Sequence, residues 1–213
     1  VMINLKIAIQ KSGRLNEDSL TLLKECGISI NNGKDQLMAQ ASNFRLDVLY
    51  LRNSDIPQYV RDGVADIAII GDNTEKEKKT GIRHVLDLGF SRCRLSIAVP
   101  KNVDFQDISY LQGKKIATSY PNSLKDFLTE NDIEAEIHEI SGSVEIAPNI
   151  GLADAICDLV SSGSTLFKNG LKEVYKIFES QAILVANSGL CGEKQELLAQ
   201  LVFRIKAVLA AKY

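Results

Sequence analysis

The sequence predicts an α/β fold made of two similar lobes, and three observations carry that reading. Short apolar runs alternate with amphipathic stretches along the chain, the rhythm of βαβ units. Hydrophobic residues make up 45% and charged residues 24%, the balance of a globular chain and far from that of a disordered or low-complexity one. Finally, Gly63–Ile69 is echoed by Gly151–Cys157 at an offset of 88 residues, each placing Gly-x-Ala-Asp before an apolar run. A repeat of that kind favours two α/β lobes with ligand between them over one continuous sheet.

Element by element, Lys6–Ile9 reads as a first strand and Leu15–Cys26 as a helix with Leu20, Leu22 and Leu23 on one face and Gly27 as its stop. Leu46–Leu51 is a strand, Asp55–Asp62 a helix that tolerates Pro57 in its first turn, and Asp66–Ile70 a strand ended by Gly71. The alternating charges of Glu75–Lys79 read as a solvated helix face. Strands follow at Arg94–Val99 and Lys115–Thr118, then a helix at Ser123–Glu130 and a strand at Glu136–Ile140. A helix near Val144–Pro148 precedes strands at Ala155–Val160, around Val174–Phe178 and at Ala182–Val185. A long helix from Glu193 closes the chain, with Leu197, Leu198, Leu201, Val202, Ile205, Val208 and Leu209 as a stripe for core or subunit contact.

Charge and composition exclude several function classes. With 25 Lys plus Arg against 27 Asp plus Glu, there is no polycationic face for a nucleic-acid backbone. Cys26, Cys93, Cys157 and Cys191 form no C-x-x-C pair, and His84 and His138 lack acidic neighbours at ligand spacing, which argues against structural zinc. Cys93 and Cys157, in apolar runs, read as inert core thiols. No apolar run nears the ~20 residues of a membrane span, and Val1–Lys6 leads straight into a strand without a signal-peptide pattern. A cytoplasmic protein with reduced thiols is expected. P-loop, dinucleotide and nucleophile-elbow motifs are all missing.

The richest local feature runs from Asp158 to Thr165, an apolar strand entering a turn of Ser161, Ser162, Gly163, Ser164 and Thr165. Small residues let the backbone curl into a nest of N–H groups, and hydroxyls add donors, which suits a phosphate dianion. A plain Ser/Gly turn has the same composition. Asp158, just ahead of the turn, is placed to accept hydrogen bonds from sugar hydroxyls, whereas Asp154 falls at the start of its strand. Two further strand ends carry cations: Lys11 and Arg14 after the first strand, and Arg52 after Leu46–Leu51. Together they suit a pyrophosphate group, although any one alone reads equally as a surface ion pair. Gly71-Asp72-Asn73 suits a metal ion, a polar ligand or a simple Asx turn.

Taken in order, Gln10–Arg14, Asp66–Asn73, Cys93–Ser96, Ala117–Pro121, Gly142–Glu145 and Gly151–Gly163 resemble the ATP phosphoribosyltransferase family over essentially the whole chain. The resemblance implies a two-lobed fold like that of type II periplasmic binding proteins, with the active site in the inter-lobe cleft. Lobe I would span residues 1–93, a lobe II that binds 5-phosphoribosyl pyrophosphate (PRPP) residues 94–181, and residues 182–213 would return to lobe I. It also implies a Mg2+-dependent reaction between ATP and PRPP in which adenine N1 attacks ribose C1 and pyrophosphate leaves, opening histidine biosynthesis. Ser161–Thr165 would hold the 5-phosphate and Asp158 the ribose hydroxyls, while Lys11, Arg14 and Arg52 would act as catalytic cations on phosphate oxygens. Asp72, Tyr120 and Glu145 would contact ATP or PRPP; no metal ligand is assigned. The motifs match the long form of the family, yet the chain stops near Tyr213 without a histidine-binding regulatory domain, so a truncated core, insensitive to histidine, is expected. A natural short form would instead use a histidyl-tRNA-synthetase-like regulatory subunit, and the apolar last helix suggests a homodimer. A solute-binding module or a purely regulatory subunit are the alternatives; neither nucleic acid nor membrane is an expected partner.

Overall fold

The computed structural model describes residues 1–31 and 36–212. Its chain forms two units, one from Val1–Ser91 with Gln181–Tyr213, the other from Arg92–Ser180. The first holds strands β1 (Leu5–Gln10), β2 (Met38–Gln40), β3 (Leu46–Leu51), β4 (Ile67–Gly71), β5 (Arg83–Asp87) and the late strand β11 (Ala182–Ala186). They make one sheet in the order β2-β3-β1-β4-β11-β5, with β1 parallel to both β3 and β4 and β11 antiparallel to β4. Helices α1 (Arg14–Glu25), α2 (Ile56–Arg61), α3 (Asp72–Lys78) and α6 (Gly192–Ala210) complete this unit.

The period of two along β1 assigns its faces. Ile7 and Ile9 pack with Leu22 and Leu23 of α1 and with Leu197, Leu198, Leu201 and Ile205 of α6, whereas Ala8 meets Ile56 and Val60 of α2. The stripe on α6 is therefore core of its own unit, and its partly buried members Val202, Val208 and Leu209 pack against the same cluster. This removes the apolar stripe as an argument for a second copy. Gly27 ends α1 in a left-handed conformation (φ 77°) that a residue with a Cβ reaches only with strain.

The second unit holds β6 (Cys93–Pro100), β7 (Lys115–Thr118), β8 (Glu136–Glu139), β9 (Ala155–Val160) and β10 (Leu171–Ser180), ordered β10-β6-β9-β7-β8. Here β7 is parallel to β8 and β9, while β6 runs antiparallel to β9 and β10. Helix α4 (Pro121–Glu130) covers one face with Leu124, Phe127 and Leu128. The short α5 (Ser164–Lys168) follows β9. The expected helix at Val144–Pro148 is only a 3-10 turn over Val144–Ile146, because Ser143 before it is left-handed and Pro148 blocks its continuation. Cys93 is half-buried rather than core, while Cys157 is fully buried.

The repeated Gly-x-Ala-Asp segments fold alike. Gly63 and Gly151 have φ 76° and 74°, and the aspartates three residues on occupy matching places. Asp66 accepts a hydrogen bond from the Lys6 amide (2.8 Å) and Asp154 one from the Lys115 amide (2.9 Å), each fastening the start of one parallel strand to its neighbour. Asp66 is additionally buried and paired with Lys194 at 2.9 Å. No described helix is long and apolar enough to cross a membrane.

Candidate active site

In parallel sheets, ligand-binding groups gather beyond the carboxyl ends of the strands. The first unit brings four of the expected residues to one such edge. The Lys11 amide donates to the Leu51 carbonyl (2.9 Å), joining the ends of β1 and β3, and Arg52 is the next residue. Arg14 opens α1 after the turn at Gly13, whose φ of 86° turns the chain from strand to helix. That turn is tied down by Asn16 Nδ2 to the Gln10 carbonyl (2.7 Å) and Gln10 Nε2 to the Ser12 carbonyl (2.8 Å). All three cations are exposed, and among the described residues Arg14 makes a long 3.9 Å contact with Asp18.

Asp72 lies at the end of β4, the other neighbour of β1, but not as an Asx turn. It is the first residue of α3, where an acid suits the helix N-terminus, and its carboxylate pairs with Lys76 one turn on at 3.0 Å. Nor is α3 a wholly solvated face: Asn73, Thr74 and Glu77 are buried, and Glu75 folds back to accept from Thr80 Oγ1 (2.6 Å) and the Gly81 amide (2.8 Å). Asn53 Nδ2 donates to Thr74 Oγ1 (3.0 Å), bracing the segment after Arg52 against this helix.

The second unit gathers the rest. A cavity of about 260 Å³ is lined by Glu145, Asp158 and every residue of the Ser161–Thr165 turn. Gly163, left-handed at φ 83°, leads into α5, and the first amides of that helix have no partner within it. Ser162 Oγ bonds Ser164 Oγ (3.1 Å) and accepts from the Ser164 amide (3.4 Å), so the hydroxyls lie together at the mouth of the turn. Asp158 is half-buried and accepts from the Leu159 amide at 2.8 Å. Burial, with a smaller contribution from the nearby Glu145 charge, pushes its carboxyl above the ordinary aspartate range. Tyr120 ends the loop after β7, adjacent to β9, with its amide on Thr118 Oγ1 (2.9 Å). The arrangement is a small hydroxyl-rich concavity with donors to spare beside two carboxylates, suited to a phosphorylated sugar.

One residue of this neighbourhood carried no role in the sequence reading. Arg94 on β6 donates through Nη1 to the Ser161 carbonyl (3.1 Å) while its Nε and Nη2 grip Glu173 at 2.6 and 2.8 Å. Its partners lie 67 and 79 residues away in sequence, so no local pattern marks it.

Comparison with known proteins decides the family. The family model described as ATP phosphoribosyltransferase matches residues 52–207. The chain belongs to the ATP phosphoribosyltransferase family. It is 59% identical over 208 residues to the ATP phosphoribosyltransferase of Cytophaga hutchinsonii, covering 98% of this chain and 73% of that relative. The solved ATP phosphoribosyl transferase (HisG:HisZ) complex from Thermotoga maritima superposes with a TM-score of 0.84 at 29% identity, over 97% of this chain and 99% of that one. A histidine kinase sensor domain similar to periplasmic binding proteins aligns with a TM-score of 0.66 at 11% identity, over 98% of this chain and 91% of that one; that likeness is of fold alone. The architecture is thus the periplasmic-binding-protein-like one. As a phosphoribosyltransferase, the chain transfers the 5-phosphoribosyl group of PRPP to N1 of the ATP adenine and releases pyrophosphate, the first step of histidine biosynthesis.

Proposed function

We propose that the edge of the second unit holds PRPP and that the cations of the first unit act on polyphosphate oxygens. The observation that carries the reading is the cavity shared by Asp158, Glu145 and the Ser161–Thr165 turn. In this reading the 5-phosphate sits among the hydroxyls and backbone amides of Ser161, Ser162, Gly163, Ser164 and Thr165, which offer neutral donors to a dianion. Asp158 accepts hydrogen bonds from the ribose hydroxyls. A half-buried carboxylate is strongly felt there, because positive charge spreads over the ribose ring as the C1–pyrophosphate bond breaks. Adenine N1 is unprotonated at neutral pH, so it attacks C1 without a general base, and the bonding electrons leave with pyrophosphate. Lys11, Arg14 and Arg52 offset the charge on phosphate oxygens, Arg14 and Arg52 with bidentate forks. Asp72, Tyr120 and Glu145 contact ATP or PRPP.

The donor set fits magnesium. Mg2+ characteristically takes one or two carboxylates together with substrate oxygens and water. Asp158 and Glu145 supply such a pair, and a cation relieves the burial and like charge that raise the Asp158 pKa. Among the described residues no group of three or more His, Cys, Asp or Glu side chains is placed to hold a metal ion such as magnesium. When bound, it would neutralise phosphate charge. A cytoplasmic setting with all four cysteines reduced and, if the chain is a natural short form, a histidyl-tRNA-synthetase-like regulatory chain complete the reading, the latter supported by the Thermotoga protein's being solved as a complex.

Steady-state kinetics on Ser162→Ala and Thr165→Ala test it. Each should raise the PRPP KM by about tenfold or more, a lost hydrogen bond to a charged group, with the ATP KM unchanged. Unaltered PRPP kinetics in both variants would refute the phosphate assignment.

A further inference from the structure

The Arg94 guanidinium spans three strands. It starts on β6, meets the carbonyl at the end of β9 and closes on a glutamate of β10. Arg94 does not line the cavity, yet the group it holds, the Ser161 carbonyl, begins the cavity's loop. A trans peptide points its C=O and the following N–H in opposite directions. Fixing the Ser161 carbonyl on Arg94 therefore fixes the Ser162 N–H, aimed away from the guanidinium. Glu173 completes the device. Its two oxygens take two of the guanidinium's donors in a fork, so the planar group cannot swing off the carbonyl. The side chains are 30% and 27% exposed, more enclosed than an ordinary surface pair. The Arg94 hydrogen bonds hold the Glu173 carboxyl below its usual range. Because the pair is neutral overall, it adds little net attraction for an anion. Its contribution is geometric.

We propose that Arg94, locked by Glu173, is a positioning residue that sets the Ser161–Thr165 loop in its ligand-holding conformation. The proposal rests on the reading of that loop as the PRPP phosphate site. Two readouts separate the two ideas. Amide hydrogen exchange at Phe167 and Asn169, whose N–H groups donate to the Gly163 and Thr165 carbonyls, reports on the loop alone and should quicken about tenfold in Arg94→Ala, the loss of one charge-assisted hydrogen bond, while amides in the middle of β6 and β9 stay protected. The PRPP KM should rise about tenfold with the ATP KM and kcat within about threefold, a split that general destabilisation does not produce. Arg94→Lys, which keeps the charge and one donor, should recover part of both effects. Should Arg94→Ala not fold, Arg94→Lys carries the test, with exchange and PRPP KM each up about threefold. Glu173→Gln separates geometry from charge: positioning predicts a PRPP KM that rises, whereas action through net charge predicts one that falls and overturns the proposal. Unchanged exchange in the Arg94 variants also overturns it, whatever the kinetics. Faster exchange with an unchanged PRPP KM overturns it by a different route, since the loop would then not hold PRPP, and Thr165→Ala, with Arg94 intact, would show the same indifference.

Discussion

Arg14→Ala separates stability from chemistry at a single position. In the structure the Arg14 side chain is 69% exposed and its ion pair to Asp18 is 3.9 Å long and one helical turn away. An exposed pair of that kind contributes ~0.2–0.5 kcal/mol. Alanine is the best helix former, and its advantage over arginine recovers a few tenths of that. The net change is below ~0.5 kcal/mol, which for a chain of this size moves Tm by about 1–2 °C. Activity should respond very differently. If Arg14 holds a phosphate oxygen as charge leaves ribose, removing it costs ~1.5–3 kcal/mol, or about tenfold to more than a hundredfold in turnover. The assay is pyrophosphate release with ATP, PRPP and magnesium present, run beside omissions of each substrate and a thermal melt. Turnover within threefold of the parent protein, with Tm unchanged, would take Arg14 out of the mechanism. A melt lowered by more than about 5 °C would instead show that the stability arithmetic is wrong.

Two further outcomes follow from the carboxylates. The raised Asp158 pKa means that the native state binds its proton more tightly than the unfolded chain, so stability falls as pH rises from the unfolded aspartate value through the folded one. Asp158→Asn should therefore melt higher than the parent at neutral pH, with the gap closing in acid where the carboxyl is protonated, while pyrophosphate release collapses; a variant that melts lower at neutral pH refutes the assignment of that strain. Asp66, buried and holding both the Lys6 amide and Lys194, should cost ~3 kcal/mol when changed to alanine. The more exposed Asp154 should cost only ~1 kcal/mol in denaturant titrations, and equal losses would deny the Lys194 pair its role.

Much of this fold is legible because central strands are apolar on both faces. Lys115–Thr118 and Ala155–Val160 read as strands without help and occupy those spans in the structure. Edge strands other than β8, which is legible as Glu136–Glu139, escape the same reasoning. β5 carries Arg83, His84 and Asp87 and is largely exposed, so nothing in it alternates. β2 is three residues long. β10 extends to both sides of Val174–Phe178 because irregularities between Glu173 and Tyr175 and between Lys176 and Phe178 interrupt its period of two. Asp72 shows a subtler limit: an acid after a buried strand starts a helix as readily as it caps a turn, and packing of Asn73, Thr74 and Glu77 selects the helix. At the candidate site, Asp158 and the serine turn are visible because they are contiguous. Arg94 is not, since its meaning lies in a carbonyl and a carboxylate supplied by distant strands.

The late position of β11 shapes how the first sheet comes into being. β4 has β1 along one side, but its other side waits for Ala182–Ala186, which follow the entire second unit. At ~5–20 residues per second, a ribosome takes on the order of 4–18 s to make the intervening 92–180 segment. Throughout that interval the nascent sheet ends in an apolar, hydrogen-bond-hungry margin of Ile67, Ala68, Ile69 and Ile70. The inserted unit, contiguous in sequence, can meanwhile condense as it emerges. Birth order therefore leaves the discontinuous half as the one that needs protection from sticking to other chains.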